Sequence, residues 1–355
     1  MELATLRTLG RSGLPVSPLA LGTMTFGAAR WGSADDVSHA VFNAYVDAGG
    51  NFVDTADVYS GGRSEELLGT YVRERGLRDR VVLATKYAFN GEKGNPLAGG
   101  NGRKNMHRAL DGSLRRLGTD YVDLYWMHVW DQVTPLAEVL DALGDLVRAG
   151  KIRYFGFSNV PAWYAASAAT LAQADRVPGP IALQLEYSLV ARVIEQEYVS
   201  AAREFGLGIT PWSPLAGGFL AGKYQRASDD TAAPVTTSEG RLSGPNPFGN
   251  MKFTDQNWRT LDALRAVATE LGRPPAQVAL AWVAAQPGVT SLILGASKVA
   301  QLHDNLASLT ITLSPDQLAR LDEAGVADPS DPYRMLFSPG LRRGIFGGAD
   351  VSGWR

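Results

Sequence analysis

The chain has 355 residues, 45% hydrophobic and 20% charged, the balance of a soluble globular protein with ample material for one large core. Its 34 Lys and Arg against 36 Asp and Glu leave a net charge of −2, and no basic stretch is dense enough to follow a phosphate backbone, which argues against a nucleic-acid partner. The lack of Cys excludes disulfides, thiolate nucleophiles and Cys-ligated metals, while no apolar run reaches the ~18 residues of a membrane span and Met1 to Gly10 lacks a signal-peptide core, so the expectation is a cytoplasmic protein with no membrane partner.

Gly10, Gly13 and Pro15 interrupt the stretch from Leu6 to Pro18 and predict a small hairpin. Leu19 to Met24 reads as a first buried strand. Ser33 is the expected N-cap of a helix with Asp35 and Asp36 in its first turn, running to Gly49-Gly50, where glycine permits a left-handed stop. Asn51 to Asp54 is a second strand, and Ser64 is the expected cap of the next helix. A strand over 81–86 leads into a Gly/Asn-rich loop, 89–103, which is too long for a bare connector. Its glycines suggest movement or close contact with a neighbour. The alternation continues with a helix over 105–117, a strand over 121–127, a helix over 135–149 and a strand over 152–157. A helix from Pro161, a strand over 181–185, a helix over 195–204 and a strand over 207–211 follow. The polar, Gly/Pro-rich region 224–255 reads as a long loop. Helices over 256–271 and 275–286, a strand over 290–294, a helix from Ser297 and a terminal helix over 315–324 come last, and the tail beyond Pro329 reads as irregular.

Eight short, continuously apolar strands alternating with helices require a parallel sheet with both faces covered. The predicted fold class is therefore α/β, a (β/α)8 TIM barrel forming a single domain over 1–355, with an N-terminal β-hairpin and long loops on the carboxyl-end face. An open dinucleotide-binding sheet would carry G-x-G-x-x-G after its first strand, and this chain does not.

Active sites of such barrels sit at the carboxyl ends of the strands. Three successive strands here end in Asp54, Lys86 and His128, and Tyr59 follows Asp54 by five residues. Singly, each has a plainer role: a helix cap, a solvated ammonium, core aromatics. As a set they suit protonation of an oxygen on which charge is developing. An ammonium beside a phenol stabilises phenolate, Asp54 would hold Lys86, and His128 would orient a carbonyl. No Ser or Cys is paired with a base, so acyl transfer fits poorly, and no metal is expected.

Several stretches carry a resemblance: Gly22-Thr23-Met24-Thr25-Phe26-Gly27, Asp54-Thr55-Ala56-Asp57-Val58-Tyr59, Ala84-Thr85-Lys86 and Leu117-Gly118-Thr119-Asp120-Tyr121-Val122-Asp123-Leu124. Gly156-Phe157-Ser158-Asn159, Gln184-Leu185-Glu186-Tyr187-Ser188 and Trp212-Ser213-Pro214-Leu215 extend it. Across nearly its whole length the chain resembles an aldo-keto reductase, including the branch of potassium-channel β subunits. The resemblance implies reversible, NADPH-dependent reduction of an aldehyde or ketone, with Tyr59 as general acid and Asp54, Lys86 and His128 supporting it. The cofactor would supply hydride and the protein position and proton.

The same resemblance places Ser158, Asn159 and Gln184 on the nicotinamide carboxamide, Trp212 against its ring, and Thr23, Met24 and Asp54 at its border. It also implies that Ser213, Leu215, Gly217 and Lys223 cradle the pyrophosphate. Gly217 to Lys223 fits G-x-x-x-x-G-K, but Tyr224 stands where a nucleotide hydrolase needs Ser or Thr for magnesium, which rejects that reading. The stretch Gly295 to Asn305 is a second phosphate candidate, with Gly295, Ser297, Lys298, Gln301, Asp304 and Asn305 assigned to the cofactor. Ser297, Gln301 and Asn305 have the i, i+4, i+8 spacing of one helical face, and a helix start favours anions. Lys298 there favours the extra phosphate of NADPH, so NADP+/NADPH is the expected cofactor and NADH the weaker one. Arg241, in the long polar loop, is a further candidate for the cofactor phosphates. The expected substrate is a small-molecule carbonyl compound met by Trp31, Tyr87, Trp130 and the 89–103 loop, with the tail from Tyr333 to Phe346 as a candidate lid. The sequence selects no oligomeric state.

Two other functions compete. A regulatory NADPH-binding subunit resembling potassium-channel β subunits would keep the same four residues; it is opposed by the lack of a distinctive amino-terminal partner segment. A phosphate-binding barrel aldolase or isomerase would use Lys86 as a Schiff-base amine, which the Asp54 and Tyr59 spacings disfavour.

Overall fold

The computed structural model describes residues 2–28, 32–226, 234–235, 242, 249–326, 329–349 and 351. Trp31 and Arg241 lie outside the described residues.

A two-stranded antiparallel hairpin comes first, β1 (Arg7–Thr8) with β2 (Pro15–Val16), Arg7 facing Val16. The alternating part then runs β3 (Leu19–Gly22), α1 (Asp35–Asp47), β4 (Phe52–Asp54), α2 (Arg63–Glu74), β5 (Val82–Tyr87), α3 (Arg103–Leu117), β6 (Val122–Met127) and α4 (Leu136–Arg148). It continues with β7 (Ile152–Ser158), α5 (Ala162–Asp175), β8 (Ala182–Gln184), α6 (Ile194–Phe205) and β9 (Gly208–Ile209). After a short antiparallel pair, β10 (Gln225–Arg226) and β11 (Pro234–Val235), come α7 (Asp255–Leu271), α8 (Pro275–Ala284), β12 (Leu292–Gly295), α9 (Val299–Leu306) and α10 (Pro315–Gly325). The tail forms α11 (Tyr333–Leu336) and α12 (Pro339–Ile345).

The eight-stranded sheet has the order β12-β3-β4-β5-β6-β7-β8-β9, all parallel. Its two ends meet: Ile209 N–H donates to Gly288 O at 2.9 Å, Thr290 N–H to Ile209 O at 2.8 Å and Ile293 N–H to Pro211 O at 2.9 Å. The expected (β/α)8 barrel and its hairpin are therefore present.

Side chains alternate across each strand, and the two faces build two cores. Leu19, Leu21, Val53, Leu83, Tyr125 and Met127 point outward to the helices. Ala20, Phe52, Val82, Ala84, Leu124, Trp126, Ala182 and Ile293 fill the barrel, joined by Leu9, Leu14 and Val16 of the hairpin. The hairpin therefore adds apolar residues to the barrel core. Gly156 is where the barrel makes room for its largest occupant, since a Cβ there would lie 2.5 Å from Cζ3 of Trp126.

Local details differ from the sequence reading at several points. Ala34, not Ser33, caps α1, and the Ser33 hydroxyl instead donates to Ser297 O at 3.1 Å. Gly62, not Ser64, caps α2; Ser64 sits one residue inside, wholly buried, and donates to Thr23 O at 2.8 Å. Both serines were read as local caps, yet each ties distant loops together. Region 224–255 is not all loop: it holds β10, β11 and a 3-10 turn over Gly249–Lys252. Ser297 lies outside α9, whose N-cap is Lys298, so the one-face reading of Ser297, Gln301 and Asn305 fails at its first member. The tail is helical in two short pieces. It is fastened to α6, where Tyr333 donates to Glu197 and Ser330 to Gln196 at 3.2 Å.

Candidate active site

On four of the strands the inward-facing series ends in a polar residue. Phe52 is followed at period two by Asp54, Val82 and Ala84 by Lys86, Leu124 and Trp126 by His128, and Ala182 by Gln184. The register sets them side by side: Asp54 faces Ala84, Lys86 faces Trp126 and Ser158 faces Gln184. A barrel packed with Val, Leu and Phe below thus opens on its carboxyl-end face into a ring of hydrogen-bonding groups.

Lys86 is the centre of that ring. Its side chain is wholly buried, and its ammonium ion-pairs with Asp54 Oδ2, donates to Thr55 O at 2.7 Å and to the Tyr59 hydroxyl at 3.3 Å. The ammonium also lies 4.8 Å from the centroid of the Tyr59 ring. Gln184 donates to the other Asp54 oxygen, Oδ1, at 3.0 Å. Burial disfavours the ammonium, but the Asp54 charge and the Tyr59 oxygen outweigh it and hold the Lys86 pKa above its ordinary value. Burial raises the Asp54 carboxyl as well, against the pull of Lys86.

Tyr59 opens a 3-10 turn whose next residues, Ser60, Gly61 and Gly62, are all left-handed. That backbone suits glycine and costs Ser60 some strain. Ser60 is anchored by a hydrogen bond to Phe26 O at 2.9 Å. The turn is also fixed from below, since Asp57 N–H donates to Lys86 O at 3.2 Å.

His128 stands edge-on to Tyr59, ring centroids 5.9 Å apart, and receives the edge of Phe89 at 4.8 Å. Burial, then the Lys86 charge, push its pKa well below the usual imidazole value, so the ring is neutral. Nδ1 is buried with no hydrogen-bond partner among the described residues. Asp54, Tyr59, Lys86 and His128 thus come together as the sequence suggested.

Beside them Asn159 adopts a left-handed φ of 51° and makes three contacts. It donates to His128 O at 3.0 Å and to Ser158 Oγ at 2.9 Å, and accepts from Trp212 Nε1 at 3.2 Å. Ser158, Asn159, Gln184 and Trp212 therefore form one rim. Met24 is partly exposed. Thr23 is wholly buried, its hydroxyl occupied by Asp54 O at 3.3 Å and Ser64 Oγ at 2.8 Å, so it supports Asp54 rather than facing outward.

Ser213, Ala216, Gly217 and Gly218 take positive φ in succession around Leu215, and Gly217 N–H donates to Ser213 Oγ at 3.1 Å. Lys223 folds back over this turn: a Cβ at Gly218 would be 3.3 Å from its Nζ. At the start of α9, Ser297 N–H and Oγ both bond Gln301 Oε1 at 3.0 Å, and Asn305 is largely buried. Lys298 is exposed and makes no ion pair with a described residue; Gly295 is open, with no atom within 4 Å of a Cβ placed there. Asp304 accepts from Gln277 at 3.2 Å, which turns it toward α8.

Two substrate-contact candidates change. Tyr87 is wholly buried and stacked on Tyr125 at 5.0 Å, with burial pushing its pKa well up, so it belongs to the core. The 89–103 loop is latched to the loop after β6. Asn101 N–H donates to Asp131 Oδ2 at 2.7 Å and Asp131 N–H to Asn101 Oδ1 at 2.7 Å, while Asn101 Nδ2 reaches Val129 O at 2.9 Å. Trp130 remains partly exposed beside Trp163, which is 56% exposed.

The sequence reading missed the support behind the tetrad. Glu65 is wholly buried, accepting from Thr85 Oγ1 and from Arg116 Nε at 2.6 Å. It lies three residues before buried Leu68 on the inward face of α2, a spacing that could have found it. Replacing Arg116 by Gln is expected to leave this carboxylate buried and uncompensated, lowering stability by about 3–5 kcal/mol in denaturant unfolding. Loss below ~1 kcal/mol, the range of an exposed pair, would contradict the assigned burial.

A parallel barrel with a Tyr-Lys-Asp-His cluster on its carboxyl-end face, Lys86 and Asp54 buried beside partly exposed Tyr59 and His128, is an enzyme architecture. The sequence model of the aldo/keto reductase family matches residues 18–326, and the chain belongs to that family and so to the oxidoreductases. It is 36% identical to a probable voltage-gated potassium channel subunit beta of Oryza sativa subsp. japonica, over 92% of this chain and 99% of that one. It is also 36% identical to the uncharacterized oxidoreductase YrpG of Bacillus subtilis, over 89% of this chain and 94% of that one. With the aryl-alcohol dehydrogenase (NADP+) of Phanerodontia chrysosporium it shares 33% identity, over 92% of this chain and 87% of that one.

Proposed function

We propose that the protein reduces an aldehyde or ketone to an alcohol, reversibly and with NADPH, and that Tyr59 delivers the proton. The observation that carries this is the buried Lys86 ammonium 3.3 Å from the Tyr59 hydroxyl, held by Asp54. Proton transfer from Tyr59 leaves negative charge on the phenol oxygen, and a preorganised cation at that distance stabilises it without reorganisation. Asp54 and the Thr55 carbonyl fix the ammonium, while Gln184 fixes Asp54. His128, kept neutral, donates from Nε2 to the carbonyl oxygen and orients it toward Tyr59 without competing for its proton.

When bound, the nicotinamide cofactor supplies the hydride. The residues around the tetrad fit such a group. Trp212 and Asn159 form a hydrogen-bonded pair with their outer sides accessible, and Ser158 and Gln184 flank them. In our reading these four hold the nicotinamide and Met24 borders it. Ser213, Leu215, Gly217 and Lys223 hold the pyrophosphate, and Gly295, Ser297, Lys298, Gln301 and Asn305 the adenosine end.

The test is NADPH consumption against a panel of aldehydes and ketones. Turnover of any of them supports the reductase reading; tight NADPH binding with no turnover of every carbonyl would favour a regulatory cofactor-binding subunit instead. The preference for NADPH rests on Lys298, an exposed ammonium without a carboxylate partner among the described residues, which suits the extra phosphate. Lys298→Ala is expected to weaken NADPH by about tenfold, the worth of one charge-assisted hydrogen bond, and NADH hardly at all. Equal weakening of both cofactors in fluorescence titrations would remove Lys298 from the phosphate site.

A further inference from the structure

A second polar cavity lies on the other side of the Tyr59 turn, and the reaction proposed above makes no use of it. It encloses about 310 Å3 between that turn, the start of the 89–103 loop and the flank of α3. Arg108 and Arg115 are exposed at its mouth, and Arg116 and Asp57 lie further in. Arg108 spends one nitrogen on Ala98 O at 2.9 Å and Asn105 Oδ1 at 3.0 Å, and Arg116 spends Nε on Glu65 and Nη2 on Ser113 Oγ at 3.5 Å, leaving Nη1. The Arg115 side chain makes no hydrogen bond or ion pair with a described residue. Guanidinium donors therefore remain available from all three. Glycine shapes the space: a Cβ at Gly62 would lie 2.8 Å from Cδ of Arg116, so only glycine there lets that side chain cross the turn, and Gly61 and Gly91 leave the walls open.

Against this positive lining stands one oxygen. Asp57 Oδ1 is buried and has no hydrogen-bond partner among the described residues. A buried carboxyl oxygen without a donor is costly, and its natural complement is a ligand O–H. Guanidinium groups want the opposite, anionic oxygens that take paired N–H donors. Both demands are met at once by an oxyanion that still carries a proton. Burial, then the Glu65 charge, push the Asp57 carboxyl up to about 7, against Arg116 and Arg108. The second proton of a phosphate leaves near ~6, and inorganic hydrogen phosphate still carries a P–OH beyond that, so an ionised Asp57 has a donor to accept from.

We propose that this cavity binds hydrogen phosphate or the phosphate head of a phosphomonoester, with Arg108, Arg115 and Arg116 holding its anionic oxygens and its P–OH directed at Asp57. Sulfate has the same shape and no proton at neutral pH, so it presents Asp57 with a lone pair instead of a donor. The site is distinct from the cofactor region at α9, and its evidence is independent of any turnover.

The experiment is calorimetry at matched ionic strength on the full chain, with inorganic phosphate compared with sulfate at pH 8, where Asp57 is ionised, and with glycerol phosphate at pH 6, where the ester keeps a share of its proton. A Lys298→Ala background removes phosphate binding at α9. Phosphate is expected to bind that variant, and sulfate more weakly. Arg115→Gln, a change at an exposed residue, should weaken phosphate by about tenfold, and Asp57→Asn should erase the preference over sulfate. Glycerol phosphate binding more tightly than the bare ion would identify the ester as the ligand; equal or weaker binding would identify free phosphate. Absence of phosphate binding in the Lys298→Ala background, equal affinity for sulfate, or indifference to Arg115→Gln would each overturn the proposal. Loss of turnover in a Tyr59 variant would leave these results untouched, which separates the two readings.

Discussion

Tyr59→Phe is expected to lower kcat by at least ~10²–10⁴-fold, the range that general acid catalysis supplies, while leaving cofactor affinity nearly unchanged. The substitution removes one oxygen from a ring whose position is otherwise fixed. Ser60 remains tied to Phe26, Asp57 to the Lys86 carbonyl, and the ring to the edge of His128. The Lys86 ammonium loses a partner at 3.3 Å but keeps Asp54 and Thr55. The rim of Ser158, Asn159, Gln184 and Trp212 makes none of its mutual hydrogen bonds through the phenol. Tryptophan fluorescence quenching by NADPH should therefore persist at wild-type concentrations. Steady-state rates and quenching measured on the same preparation separate the two effects. A variant that still turns over within tenfold of wild type would show that another group, or solvent, hands over the proton.

What made this site legible in the sequence was the polar residue that closes each of three successive apolar runs. Asp54, Lys86 and His128 each close a run that is otherwise Val, Leu, Phe and Trp, and a polar residue on the inner face of a packed barrel has only the carboxyl-end opening to reach. The barrel was legible in the β–α alternation that a parallel sheet demands. What escaped were side chains whose partners are remote in sequence. Ser33 and Ser64 looked like caps because local spacing is all that a one-dimensional reading sees, yet their partners are Ser297 and Thr23. Glu65 escaped because its partner Arg116 lies 51 residues away. Tyr87 looked like a recognition residue because it follows Lys86; the alternation that turns Lys86 inward turns Tyr87 outward beneath α3, where it stacks on Tyr125. Side-chain alternation along the strand, applied to Lys86 and Tyr87, would have found that. The latch between Asn101 and Asp131 needed two loops brought together by the closed sheet.

Lys86→Met is expected to cost as much stability as Arg116→Gln. The Lys86–Asp54 pair has side-chain exposures of 0% and 2%, so water cannot rescue a lone partner. Breaking a buried pair from one side typically costs about 3–5 kcal/mol, because the remaining charge stays desolvated. In the variant Asp54 keeps one donor, Gln184, and loses both Lys86 contributions that hold its carboxyl down. Its folded pKa then rises further above the unfolded value near ~3.9. The sign of the pH effect follows: between those two values the folded chain binds more protons than the unfolded one, so stability falls as pH rises and recovers on acidification. Denaturant unfolding at stepped pH should show the deficit of Lys86→Met relative to wild type shrinking from pH 7 toward pH 4. Adding Asp54→Asn to Lys86→Met removes the stranded charge while keeping an amide that fits Gln184. The double variant should recover most of the lost stability and none of the activity. A single variant as stable as wild type at pH 7, or a double variant no better than the single, would mean that the carboxylate is already protonated or hydrated in the folded protein, and the cation beside Tyr59 would lose its electrostatic anchor.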